Sequence, residues 1–228
     1  MSRFFVGITG ASGAAYAGAL LRALVRAGQD VDVSVTEAGA KVLRHELGVE
    51  AGAGGAALAA ALPGWLGVDV AARVRAFPCS AVEAPPSSGT ALTGGVVLCP
   101  CSMGTLARVA VGFSSNLVER AADVALKERR RLVIVPRETP LSEIHLENML
   151  RLTRLGAMVL PAAPGFYHRP ESIQDLLDHV VGKVLDALGV AHAVGARWKG
   201  TLPAAEDAGL ERPSPGRPEG ESGGGRGR

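Results

Sequence analysis

A chain of 228 residues that is 47% hydrophobic and only 4% aromatic can bury a sizeable core, built from Ala, Val, Leu and Ile. Its net charge of +2, with 20% charged residues, lacks the basic excess of a general nucleic-acid binder. Three cysteines are too few for a disulfide framework and fit free thiols, and the N-terminal MSRFFVGITGASG breaks at glycine too early for a signal peptide or a membrane span; a cytoplasmic protein is expected.

In chain order, residues 4–8 (FFVGI) form a short apolar run that opens into a glycine turn. A helical pattern follows from about Ala14 to Ala27, with Gly28 placed to stop it. Residues 31–36 (VDVSVT) predict a second strand, and Glu37 to Leu47 a helix with Ala38, Val42 and Leu43 on one side. Residues 51–64 are rich in Ala and Gly and weakly patterned, which predicts a variable surface segment. Residues 73–77 (RVRAF) predict a strand and 85–95 a loop. Buried strands are predicted at VVLCP (96–100), LVIVP (132–136) and AMVLP (157–161), each ended by a proline that cannot donate to a ladder and each followed by a helix.

Short apolar strands alternating with helices predict βαβ units: an α/β, doubly wound parallel sheet in one domain over 1–200. In such sheets ligands bind beyond the carboxyl ends of the strands. The tail 201–228, rich in Gly, Pro, Glu and Arg, has too little apolar surface for a core, and disorder is expected there.

The motifs follow the strands. Gly7 to Gly13 (GITGASG) leads into a helix, where free backbone N–H groups can receive a phosphate and Ser12 can add a hydroxyl. It is neither the dinucleotide fingerprint nor a P-loop, and a plain strand-to-helix turn capped by Ser12 accounts for the spacing equally well. Cys99-Pro-Cys101-Ser102-Met103-Gly104-Thr105 places two hydroxyls at a helix start; its cysteines read as small core residues, with no four-ligand set for zinc. In the stretch 116–131, Arg129 to Arg131 are explained by a solvated helix end, while Arg120 and Lys127, seven apart, share a face. Arg137 and Glu138 follow a strand: the first can grip a phosphate, the second can work as acid or base. Pro164-Gly-Phe-Tyr167-His168 presents a phenol; His145 and His168 read as ordinary hydrogen-bonding residues.

Together, GITGASGA, CPCSMGTLA, NLVERAADVALKERR, LVIVPRETPLSEIHLENMLRL and GAMVLPAAPGFYHRP resemble the flavin prenyltransferase (UbiX-type) family. The match runs from about Phe4 to Trp198 in the family's order and is weakest between Gly48 and Gly95. The resemblance implies a Rossmann-like flavoprotein that assembles as a large homo-oligomer, commonly a dodecamer. It implies that dimethylallyl monophosphate donates its prenyl group to N5 and then C6 of reduced FMN, without a metal, and that a UbiD-type decarboxylase uses the product.

Carried over, the resemblance makes Gly10, Ala11 and Ser12 the FMN turn, with Thr36 in place of the more usual Ser, and Ser102, Met103, Gly104 and Thr105 the second flavin loop. Arg137 becomes the FMN arginine; Tyr167 and Lys183 become prenyl-phosphate ligands, Lys183 replacing the more usual Arg with a point charge. Arg120 and Lys127 become further phosphate-site cations, Glu46 and Glu138 the acid/base carboxylates, and Trp198 an aromatic wall. Arg120, Lys127, Tyr167 and Lys183 are expected to converge on one phosphate. Two other functions stay open on the sequence: an FMN-dependent cysteine decarboxylase-like flavoprotein, and a non-catalytic flavin carrier.

Overall fold

The computed structural model describes residues 2–91 and 93–195, which fall in one compact unit, Met1–Arg197. The expectations for Trp198 and for the tail 201–228 lie outside the described residues.

Strand β1 (Arg3–Ile8) leads into helix α1 (Ala14–Arg26), and β2 (Asp30–Val35) into α2 (Glu37–Leu47), as the patterns predict. Residues 51–64 differ from their prediction: α3 (Ala56–Leu66) buries Leu58, Leu62 and Leu66, spaced four apart, and a short α4 (Val68–Ala71) follows. Strand β3 (Val74–Phe77) comes next, then a 3-10 turn at Pro85–Ser87 and β4 (Thr93–Cys101). β4 runs one residue past Pro100, because Cys101 pairs again with Pro136 of the neighbouring strand after a register shift. Helices α5 (Met103–Ala110) and α6 (Leu117–Lys127) lead to β5 (Leu132–Pro136) and α7 (Glu143–Arg154). The last strand, β6, is only Met158–Val159, and a loop of thirteen residues separates it from α8 (Ile173–Leu188).

The six strands are all parallel, in the order β3-β2-β1-β4-β5-β6. Alternate side chains of each strand feed two apolar layers. On one face Val6, Ile8, Val33, Val97 and Val135 pack with α1, α3 and α8; on the other Phe5, Leu98, Cys101 and Ile134 pack with α5 and α6. The order reverses between β1 and β4, and there a doubly wound sheet opens its ligand crevice at the carboxyl edge.

The three cysteines are free and buried. Burial raises the thiols of Cys99 and Cys101, the latter to about 12, which suits core residues rather than nucleophiles.

Candidate functional site

The turn after β1 and the turn after β4 meet at the switch point. Buried Thr9 donates its hydroxyl to the Pro100 carbonyl at 3.0 Å and accepts the Ser102 N–H at 2.7 Å. Thr9 lies inside the first motif, but nothing local marks its role, because its partners lie 91 and 93 residues away.

In the first turn Gly10 is dictated by close approach: a Cβ there would sit 2.5 Å from that of Ala38 on α2. Gly13 takes φ 104°, a left-handed value, and turns the chain into α1 without a side-chain cap. Glu46, near the end of α2, takes that capping role. Its carboxylate accepts the Gly13 N–H at 3.0 Å and the Ala14 N–H at 2.8 Å. Burial works to raise the Glu46 pKa, but hydrogen bonds from Ser12, Ala14 and Gly13 and the nearby Arg137 charge outweigh it, so the group is held below its ordinary value. The N–H groups at the end of the first turn thus receive a carboxylate, that of Glu46.

Arg137, just beyond β5, crosses back to the first turn: its Nε donates to the Ser12 carbonyl at 3.3 Å, and its own N–H to the Cys101 carbonyl at 3.3 Å. Glu138 points to solvent and accepts the N–H of Thr139 at 3.1 Å. Thr36 caps α2 by accepting the Gly39 N–H at 3.1 Å. Beside it lies a cleft of about 460 Å³ lined by Thr36, Gly54, Cys79, Ser80, Ser115 and Asn116.

In the second loop Ser102 caps α5, accepting the Thr105 N–H at 3.3 Å and meeting the Thr105 hydroxyl at 3.1 Å. The Met103 side chain is buried in the core beneath. Gly104 is not demanded by the fold: a Cβ there would meet nothing nearer than Arg108, at 3.6 Å. Arg108 in turn pairs with fully buried Glu119 and donates to the Thr105 hydroxyl at 3.2 Å, which fixes the start of α5 against α6.

The loop after β6 carries Tyr167. Its hydroxyl lies 3.3 Å from Nε2 of His179 on α8, and Lys183 follows one turn later on the same helix. His179 was not singled out from the sequence; its spacing of four from Lys183 was the available signal.

The four donors expected to converge on one phosphate ride on elements of opposite faces of the sheet. Tyr167 and Lys183 belong to the face that packs α1 and α8, whereas Arg120 and Lys127 ride on α6, across the sheet. Arg120 stands near the start of α6 and pairs with Asp123 at 3.2 Å; Lys127 ends that helix, beside Gly89 ahead of β4, and pairs with Glu128 at 2.9 Å. A helix that crosses from the carboxyl edge of one strand to the amino edge of the next carries its last residue away from the crevice.

Among the described residues no group of three or more His, Cys, Asp or Glu is placed to hold a metal ion, and no helix is long and apolar enough to cross a membrane.

Comparison with known proteins adds to this geometry. The Flavoprotein family model matches residues 1–185. The flavin prenyltransferase UbiX of Pseudomonas aeruginosa is 48% identical over 196 residues, which cover 86% of this chain and 93% of that protein. The crystal structure of AnUbiX (PadA1) in complex with FMN and dimethylallyl pyrophosphate superposes with a TM-score of 0.77 at 38% identity, covering 88% of this chain and 98% of that one. A dodecameric FMN-dependent UbiX-like decarboxylase from Escherichia coli O157:H7 gives a TM-score of 0.75 at 40% identity, covering 87% and 100%.

Proposed function

The chain belongs to the flavin prenyltransferase family of flavoproteins, and we propose from that premise that it moves the dimethylallyl group of dimethylallyl monophosphate onto reduced FMN. The observation that carries the reading is the bridge made by Arg137. It joins the loop after β5 to the turn after β1 and so places a guanidinium, anion-receiving N–H groups and two hydroxyl-bearing loops around one switch point.

The residues fit a flavin mononucleotide. Gly10, Ala11 and Ser12 would hold it from the first turn, Thr36 from the cap of α2, Ser102, Met103, Gly104 and Thr105 from the second loop, and Arg137 from β5. The open space at Gly104 supports this, since the backbone can be approached there without any packing reason for glycine. When bound and reduced, FMN supplies N5 and C6 as the atoms that accept the prenyl group.

The chain's own groups manage charge and protons. Breaking the allylic C–O bond leaves a delocalised cation and a phosphate dianion, and Tyr167 and Lys183 would receive the phosphate. Arg120 and Lys127 would serve the site of a neighbouring copy. Their separation from Tyr167 and Lys183 by the sheet supports that, as does the dodecameric state of the E. coli relative. Glu138, exposed beside Arg137, takes the proton that attack at C6 releases; Glu46, held ionised, orients the first turn and balances Arg137. Trp198 would wall the prenyl chain. The product goes to a UbiD-type decarboxylase, and the protein works in the cytoplasm as a homo-oligomer. The buried free thiols accord with a reducing compartment.

The test is to incubate the protein with reduced FMN and dimethylallyl monophosphate and weigh the flavin. A prenylated mass is expected; unmodified FMN would leave a carrier, and decarboxylation of a cysteine substrate instead would place the chain with the cysteine decarboxylases.

A further inference from the structure

We propose that His179 is a positioning residue for the prenyl-phosphate site: it fixes which way the Tyr167 hydroxyl donates. The proposal rests on the functional reading above for the identity of the anion, but the geometry that carries it does not.

His179 stands on α8 with both ring nitrogens engaged. The Gly165 N–H donates to Nδ1 at 3.2 Å. A nitrogen that accepts must carry a lone pair, so the proton of a neutral ring is on Nε2. That nitrogen lies 3.3 Å from the Tyr167 hydroxyl, and its N–H therefore donates to the phenol oxygen. With its oxygen accepting from the imidazole, the phenol directs its own hydrogen at a different acceptor. A phosphate oxygen is such an acceptor, and Lys183 on the next turn of α8 supplies the positive charge beside it.

The surroundings keep the imidazole in this role. His168 stacks on it with centroids 5.2 Å apart and planes 8° from parallel. The Tyr167 ring stands edge-on to both, at 5.5 Å from His168 and 5.6 Å from His179. A Cβ on Gly165 would lie 3.1 Å from that ring, so glycine lets the loop close over it. Among the described residues, the charged and titratable groups around His179 are His168 and Tyr167 from the loop and Asp175, Asp178 and Lys183 from α8 itself. Burial first, then His168 and Lys183, lower its pKa and favour the neutral ring. A second proton would go to Nδ1, where the Gly165 N–H already points, and the two could not coexist.

Two measurements on the full-length protein test this. Solid-state NMR of histidine-¹⁵N-labelled protein, without substrate, should show His179 as the neutral Nε2–H tautomer; an Nδ1–H tautomer overturns the proposal. Steady-state kinetics at saturating reduced FMN should then show His179→Phe, which keeps the stack but removes both nitrogens, raising the KM for dimethylallyl monophosphate roughly tenfold, the scale of one hydrogen bond to a charged group. Its kcat should change little. His179→Gln, which can place an amide N–H near the Nε2 position, should recover much of that loss, and His179→Asn, which reaches only the Nδ1 position, should not. Added to Tyr167→Phe, His179→Phe should raise KM no further. Unchanged KM in His179→Phe, or effects of the two substitutions that multiply, overturn the proposal. If the unaltered protein shows the Nε2–H tautomer but prenylates nothing, the functional reading falls and the control of Tyr167 by His179 stands.

Discussion

At the amino edge of the sheet, Arg3, Arg73 and Arg75 face Asp30 and Asp32. Arg3 and Arg75 reach Asp32 at 2.9 and 2.8 Å, and Arg73 reaches Asp30 at 2.9 Å. Each charge in that ladder is answered by another. At the carboxyl edge the same residue types are arranged otherwise: Arg137 contacts a backbone carbonyl, and Glu46 is gripped by backbone N–H groups. Closed ion pairs at one edge and single charges held by backbone groups at the other are a distinction that residue identity alone does not make.

The comparison can be broken most forcefully at Asp32. Asp32→Ala removes the buried carboxylate that Arg3 and Arg75 share, leaving Arg3 with Asp30 and Arg75 half exposed, and should cost about 2 kcal/mol of stability by chemical denaturation. The KM for the prenyl phosphate should not move; a changed KM would show the two edges to be coupled. Glu138→Gln should do the converse, slowing prenylation about a hundredfold with FMN retained and stability unchanged. Near-normal turnover would leave the departing phosphate as the base. Tyr167→Phe and Lys183→Ala should each raise the KM for dimethylallyl monophosphate roughly tenfold while sparing FMN, and Lys183→Arg should be tolerated; unchanged constants in both would remove them from the phosphate site.

Smaller effects sharpen the contrast. Glu46 has a lowered folded-state pKa, so its contribution to stability is fully present above the ordinary carboxylate value near 4.5 and is lost as pH falls through the folded value. Thermal melts against pH should show the wild type losing its advantage over Glu46→Gln on acidification; parallel curves would mean the first turn does not hold the carboxylate in solution. Gly104→Ala, in the first turn of α5, should firm that helix by roughly 0.5 kcal/mol yet weaken FMN binding a few-fold in a fluorescence titration, because the added methyl enters the open space proposed for the flavin.

Much of this was legible in the residues. The strands and helices that alternate strongly, from FFVGI through LVIVP, stand where their patterns put them, as does the family read from the motifs at their ends. Residues 51–64 hid a helix because alanine surrounds Leu58 and Leu62 on every side, leaving no polar face to mark a period. The separation of Arg120 and Lys127 from Tyr167 and Lys183 was not legible, since two helices with similar sequence patterns pack on opposite faces according to strand order, which no local pattern encodes. His179 escaped for a related reason: the Gly165 N–H that fixes its tautomer belongs to another element, 14 residues away.

The buried hydroxyl of Thr9 bears on any attempt to redesign acceptor selectivity. Because it donates to Pro100 and accepts from Ser102, the turn after β1 and the turn after β4 behave as one cassette. The partners of that hydroxyl are backbone groups, which any turn after β4 supplies, so a grafted first turn strands the Ser102 N–H only where it lacks a hydroxyl at position 9. Position 9 must therefore keep its hydroxyl, whichever turn is varied, if the two are to stay joined.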